Sequence, residues 1–163
     1  MINAGGSFLY YNNMDVKSDA NGSDNLEHYG AVFDIQPEYR FTPWFGLGID
    51  VEIGGFKTHT PNILNKKGHF YFQSYVTGKF IWRLNAFDLW GEIDLGPGAE
   101  SGDYIDMAHV EHGTTWTLLG RLKLGATYKF NEKNGVGIHF GVASGIPAPC
   151  VVVTTGIHYT FFM

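Results

Sequence analysis

Apolar and polar residues alternate along nearly the whole chain, and almost nothing repeats with a helical period. The clearest case is the last stretch, VVVTTGIHYTFFM. Val151, Val153, Thr155, Ile157, Tyr159 and Phe161 share one face without a charge, and Val152, Thr154, Gly156, His158 and Thr160 share the other. The pattern predicts eight strands, at about 2–12, 28–41, 44–57, 68–84, 87–97, 114–130, 135–144 and 151–162. Long polar connections follow the first, third and fifth: NMDVKSDANGSDNLE, THTPNILNKK and GAESGDYIDMAHVEHG. Tight turns follow the second, fourth and sixth, at Thr42-Pro43, Asn85-Ala86 and NEKN. By parity GIPAPC lies on the long-loop side. Eight strands with loops at one end and turns at the other suit a closed up-and-down barrel, because closure removes both unpaired edges.

Alternation alone does not say whether the apolar face points outward to lipid, as in a transmembrane barrel, or inward, as in a soluble lipocalin-like one. The charges do. Asp34, Glu38, Arg40, Asp50, Glu52, Lys79, Arg83, Asp88, Glu92, Asp94, Arg121, Lys123 and Lys129 all fall on the polar face, seven acids against six bases. Such balance is what a closed interior requires, since an unpaired buried charge costs several kcal/mol. The polar face also holds Gly46, Gly48, Gly54, Gly137, Gly141 and Gly156, which make room for long side chains inside a narrow barrel.

Aromatic residues mark the two ends of the apolar face. Tyr39, Phe41, Trp44, Phe45, Phe80, Trp82, Phe87, Tyr128, Phe130, Tyr159 and Phe161 lie toward the short turns, and Tyr10, Tyr29, Phe56, Phe70, Phe72 and Trp116 toward the loops. Two aromatic girdles around an aliphatic band match the two interfaces of a bilayer. The reading is therefore an all-β, eight-stranded antiparallel transmembrane barrel. Pro37 falls on the lipid side within the second strand, and its missing N–H predicts a bulge or register shift there.

Composition narrows the partners. The 163 residues carry a net charge of −5, with scattered bases, which argues against nucleic acid. Cys150 is the only cysteine, so neither an internal disulfide nor a CxxC motif is possible. No run of about 18 apolar residues is present to make a membrane-spanning helix. The first strand begins directly after Met1, and the expectation is a mature sequence given a start methionine. A single domain, 1–163, is expected, acting as a monomer.

With these residues in place, the chain resembles the small eight-stranded outer-membrane barrels of the OmpA/OmpX type. GAVFDIQPEYRFTPWFGLGIDVEIGG is similar to that family's second and third strands with their tight periplasmic turn. The ending resembles the signal read by the barrel-assembly machinery, with Thr154, Gly156, Tyr159 and Phe161 at its positions, although Phe162-Met163 extends past the usual final aromatic. The resemblance implies a bacterial outer-membrane location, periplasmic termini and turns, loops outside, contact with lipopolysaccharide, and assembly by that machinery. No separate periplasmic domain is expected. It implies no single activity, because this fold hosts anchors, adhesins, pores and lipid-modifying enzymes.

The interior charges read as a salt-bridged plug filling the lumen, or alternatively as the lining of a narrow ion path. His139 and His158 point inward on neighbouring strands and are read as a hydrogen-bonded pair, since no third metal ligand is evident. An enzyme ranks third. Ser74 and Ser144 are the strand serines on the lipid face, and neither has a histidine two residues away, as the outer-membrane deacylase pattern requires. The loops are acidic, with Asp15, Asp19, Asp24 and Glu27, then Glu100, Asp103, Asp106 and Glu111 beside His109 and His112. They are read as solvated surface rather than a divalent-cation site, while Ile105, Met107 and Val110 suit an extracellular protein partner. Cys150 is read as an unpaired thiol without a role. No catalytic residue, cofactor or metal is assigned. The function expected is a plugged barrel displaying adhesin-like loops.

Overall fold

A computed structural model of the chain describes residues 1–13, 26–59, 68–106, 109–146 and 150–163. They form eight strands: β1 (Ile2–Asn13), β2 (Leu26–Thr42), β3 (Phe45–His59), β4 (Gly68–Leu84), β5 (Phe87–Asp106), β6 (His109–Lys129), β7 (Asn134–Ile146) and β8 (Cys150–Phe161). Each pairs antiparallel with its neighbours in sequence, and β8 closes on β1 from Ile2↔Phe161 to Asn13↔Cys150. Closure leaves no strand edge in the barrel wall, which is the condition for a sheet to stand in hydrocarbon.

Burial alternates with strict period two, as in β7, where every second residue from Gly135 to Gly145 is enclosed. The outward positions are apolar: Ile49, Ile93, Leu122, Leu124, Ile138 and Ile157 are each more than half exposed. A continuous apolar belt of this kind is unstable in water and is the outer wall of a membrane barrel. Near the short turns it is rimmed by Tyr39, Phe41, Trp44, Trp82, Phe87 and Phe130, and near the loops by Tyr29, Phe70 and Trp116. Neighbouring rings touch across strands, as between Phe45 and Phe80 (5.2 Å) and Phe87 and Tyr128 (5.1 Å).

Turn chemistry explains the short connections. Asn85 adopts φ 54°, a left-handed conformation that Asn accepts more readily than most residues. In the turn between β6 and β7, the Asn131 side-chain carbonyl accepts from Lys133 N (2.9 Å) and Asn134 Nδ2 (3.0 Å).

Two expectations need correction. Pro37 causes no register shift. Next to it Glu38 exchanges both main-chain bonds with Met1 (2.9 Å each), so the N–H that Pro37 lacks would have faced β3. Pairing with β3 pauses after Ile35↔Val51 and resumes in the same frame at Glu38↔Gly48. One missing bond is absorbed there, and the shift falls instead between Arg40 and Thr42, where the strand tightens into the Pro43–Trp44 turn. The third long connection is mostly strand: β5 and β6 stay paired out to Asp106↔His109, well past the expected ends at 97 and 114. Among the described residues, β5 pairs with β4 no further than Ser101 and β6 with β7 no further than Leu118, while the two go on pairing with each other.

Candidate functional site

The lumen is built from the inward residue of every strand, and its centre is Arg121 on β6. Its Nε donates to Asp94 Oδ2 (2.7 Å), Nη2 to Asp50 Oδ2 (2.5 Å) and Nη1 to Glu52 Oε1. The guanidinium also lies over the Tyr75 ring, 4.0 Å from its centroid. One cation thus bridges β3, β5 and β6 across the interior. A planar fork with five donors suits this task where an ammonium would not.

Lys123, one step nearer the short turns, contacts Asp50 (2.7 Å) and Glu92 (3.2 Å). Lys79 continues the chain to Glu92 (2.8 Å) and Glu38 (3.2 Å), with its ammonium 4.5 Å from the Trp90 ring centroid. Arg40 meets Glu38 (3.1 Å) and Lys129 meets Asp88 (2.7 Å) at the short-turn mouth. Gln36 knits these pairs together, donating to Glu92 Oε2 (2.7 Å) and accepting from Lys79 (2.7 Å) and Asn3 (3.0 Å). Every link is a charged or amide side chain held by at least one neighbour, which is what lets so many ions share an enclosed space.

Among the sequence-predicted charges, two stand outside this network. Arg83 is exposed at the rim and has no ion pair among the described residues. Its cross-strand partner Asp88 is taken by Lys129 and approached by Arg40 (3.9 Å). Asp34 is buried, yet no cation lies within 4 Å of it among the described residues, and its Oδ1 has no hydrogen bond. It sits over Gly5, where a Cβ would lie 2.9 Å from Oδ1. The expected balance of seven acids and six bases therefore does not describe the interior, where carboxylates outnumber cations. Asp50, Glu92 and Asp94 bring oxygens within 4.8 Å of one another, but each also rests against Arg121, Lys123 or Lys79.

His139 and His158 lie side by side, ring centroids 5.8 Å apart. They do not bond each other. His139 Nε2 shares a hydrogen bond with Ser7 Oγ (2.8 Å), and His158 Nε2 with Thr127 Oγ1 (2.9 Å), which also accepts from Trp90 Nε1 (3.1 Å). The Ser7–His139 contact is a serine–histidine pair that parity on the lipid face did not reveal. Both residues are enclosed in the lumen, and among the described residues no carboxylate pairs with either histidine.

The loop end of the lumen carries a second layer that sequence reading did not single out. Leu9, Val32, Tyr71, Tyr75, Leu119, Ala143 and Val152 form one buried cluster above Arg121. Toward the short turns, a void of about 10 Å³ lies between Asn3, Lys79, Trp90 and Thr160, at the lower limit for a single water. The lumen is thus closed twice, by ion pairs and by apolar side chains.

The assembly-signal residues lie on the closing strand. Tyr159 and Phe161 face outward, Thr154 is buried, and Gly156 faces Ser7 across the seam. A Cβ on Gly156 would meet Gly6 O at 2.4 Å and Ser7 Oγ at 2.5 Å, so this glycine has a steric reason of its own. Residues 14–25 of the first acidic loop lie outside the described residues, as does Met107. The side chains of Glu27, Glu100, Asp103, Ile105, Asp106, His109, Val110, Glu111, His112 and Cys150 are likewise not described.

No protein-family model and no curated protein matches the chain. Similar folds are found among solved structures. Neisserial surface protein A superposes with a TM-score of 0.63 at 8% identity, covering 98% of this chain and 97% of that one. Ail, the attachment invasion locus protein of Yersinia pestis, in complex with the heparin analogue sucrose octasulfate, gives 0.60 at 12%, covering 98% and 95%. The outer membrane protein OprG of Pseudomonas aeruginosa gives 0.58 at 12%, covering 99% and 96%. The chain has the fold of the small eight-stranded outer-membrane barrels.

Proposed function

We propose that the chain is a monomeric barrel of the bacterial outer membrane whose lumen is closed and whose activity lies in what it presents outside, as a surface-recognition protein of the adhesin kind. The observation that carries this is the filled interior. Arg121, Lys123 and Lys79 hold seven carboxylate contacts among them, and an apolar layer covers them on the loop side. A barrel filled in this way offers no path for solute, which leaves the outer connections as its working parts.

The long β5–β6 ribbon supports the same reading, since its pairing continues past the last described pairs to β4 and β7 and gives the third outer connection an ordered backbone to present. So does the fold shared with Ail and Neisserial surface protein A, proteins named for attachment and for the surface. Lipopolysaccharide as neighbour and the barrel-assembly machinery as folding partner belong to this proposal, with Tyr159 and Phe161 as the residues presented to the machinery. The experiment is adhesion of cells displaying the chain, compared with a variant in which residues 14–25 and 102–113 are replaced by short turns. Adhesion that disappears with correct insertion supports the reading; adhesion equal to that of cells lacking the protein overturns it.

A further inference from the structure

The short-turn mouth opens into a cavity of about 940 Å³, and its cations are not all used. Arg40 is held by Glu38, and Lys129 by Asp88. Arg83 stands directly opposite Asp88 in the β4–β5 ladder, where a cross-strand ion pair would ordinarily form. Asp88 is instead committed to Lys129 at 2.7 Å and lies 3.9 Å from Arg40. Arg83 is left exposed at the wall of the cavity, which Glu38, Asp88 and Glu132 also line; Glu38 and Asp88 are held by other cations, and Glu132 makes no ion pair with Arg83 among the described residues. Arg40 packs under Phe162, 5.5 Å from the ring centroid, which fixes a second guanidinium on the same concave surface.

We propose that this mouth is a binding site for an oxyanion, a carboxylate or phosphate group, with Arg83 as the primary ligand and Arg40 and Lys129 as flanking cations. A guanidinium is matched to such groups because it offers two parallel donors to two oxygens. The surrounding cavity is of a size that holds a small molecule or the head of a larger one. Asp88 has a specific part here: by holding Lys129 it keeps Arg83 free. The inference is independent of the surface-recognition reading, since it concerns the opposite end of the barrel.

Two sources supply this chemistry at a membrane face, a lipid headgroup and a soluble anion, and one experiment separates them. The full chain is placed in nanodiscs of phosphatidylcholine, and amide shifts of residues 83–88 and 129–132 are followed by NMR as pyrophosphate or citrate is added. The same signals are then compared in nanodiscs containing phosphatidylglycerol. Saturable shifts with the added anion, weakened about tenfold or more by Arg83→Gln, assign a soluble ligand. Shifts that appear only with phosphatidylglycerol, and vanish in Arg83→Gln, assign a headgroup. Absence of both, or shifts that Arg83→Gln leaves unchanged, overturns the proposal. Arg83 packs against nothing in the lumen, so this variant folds as the parent does.

Discussion

Arg121 lies over Tyr75, 4.0 Å from the ring centroid, and its three nitrogens donate to Asp94, Asp50 and Glu52. Removing it leaves three buried carboxylates facing one another without their common cation. Arg121→Ala is therefore expected to cost about 3–5 kcal/mol, read as an earlier denaturant midpoint in detergent or lipid. Arg83→Ala, at the rim and outside the network, is expected to stay within about 0.5 kcal/mol of the parent. Equal midpoints for the two variants would remove the ion network from the account.

The apolar layer makes its own prediction. Leu119 is 3% exposed and packs with Leu9, Tyr75 and Val152 inside the barrel rather than against lipid. Leu119→Ala is expected to destabilise by about 2–5 kcal/mol, as in a water-soluble core. Leu122→Ala, on the lipid face, leaves no enclosed cavity and is expected to cost clearly less. The comparison is made by unfolding titration of both variants.

How far the molecule is legible in its sequence follows from these residues. Parity placed Arg121 inside and Leu122 outside, and it located both aromatic girdles, because a period of two is a property of the strand itself. It did not single out the layer formed by Leu9, Leu119 and Val152. An apolar residue among polar neighbours on the inner face looks like noise until six strands bring several to one level. The commitment of Asp88 to Lys129, which frees Arg83, depends on side-chain reach across strands and leaves no mark on spacing. Pro37 misled for a different reason: its missing donor faces one neighbour only, and which neighbour depends on the closing register.

Gly156 separates a folding role from a recognition role. Gly156→Ala is expected to block refolding of the purified chain in detergent, because the new Cβ meets Gly6 O and Ser7 Oγ. Gly120→Ala, with nothing within 4 Å, is expected to refold normally. Tyr159→Ala and Phe161→Ala are expected to refold in detergent yet reach the outer membrane of cells poorly, which is how an assembly signal behaves. Equal loss in both settings would make those two residues structural only.

The tryptophans report on orientation. Trp44, Trp82 and Trp116 face outward at 58–65% exposure, whereas Trp90 is enclosed between Lys79, Thr127 and His158. Among variants that each retain a single tryptophan, brominated lipid is expected to quench Trp44, Trp82 and Trp116 strongly and Trp90 weakly. Strong quenching of Trp90 alone would invert the barrel's faces.

Removing a hydroxyl from the lumen tests its polar satisfaction. Ser7→Ala leaves the buried His139 Nε2 without its partner and is expected to cost about 1–3 kcal/mol, measured by the same titration.

The measurement that bears most directly on the closed lumen is ionic conductance of the refolded chain in a planar bilayer, with insertion confirmed by a heat-modifiable gel shift. The account predicts complete insertion and a silent membrane, because the ion pairs around Arg121 and the layer around Leu119 leave no continuous water. Steady unitary steps from the inserted wild-type chain would contradict it and make the interior charges the lining of a pore.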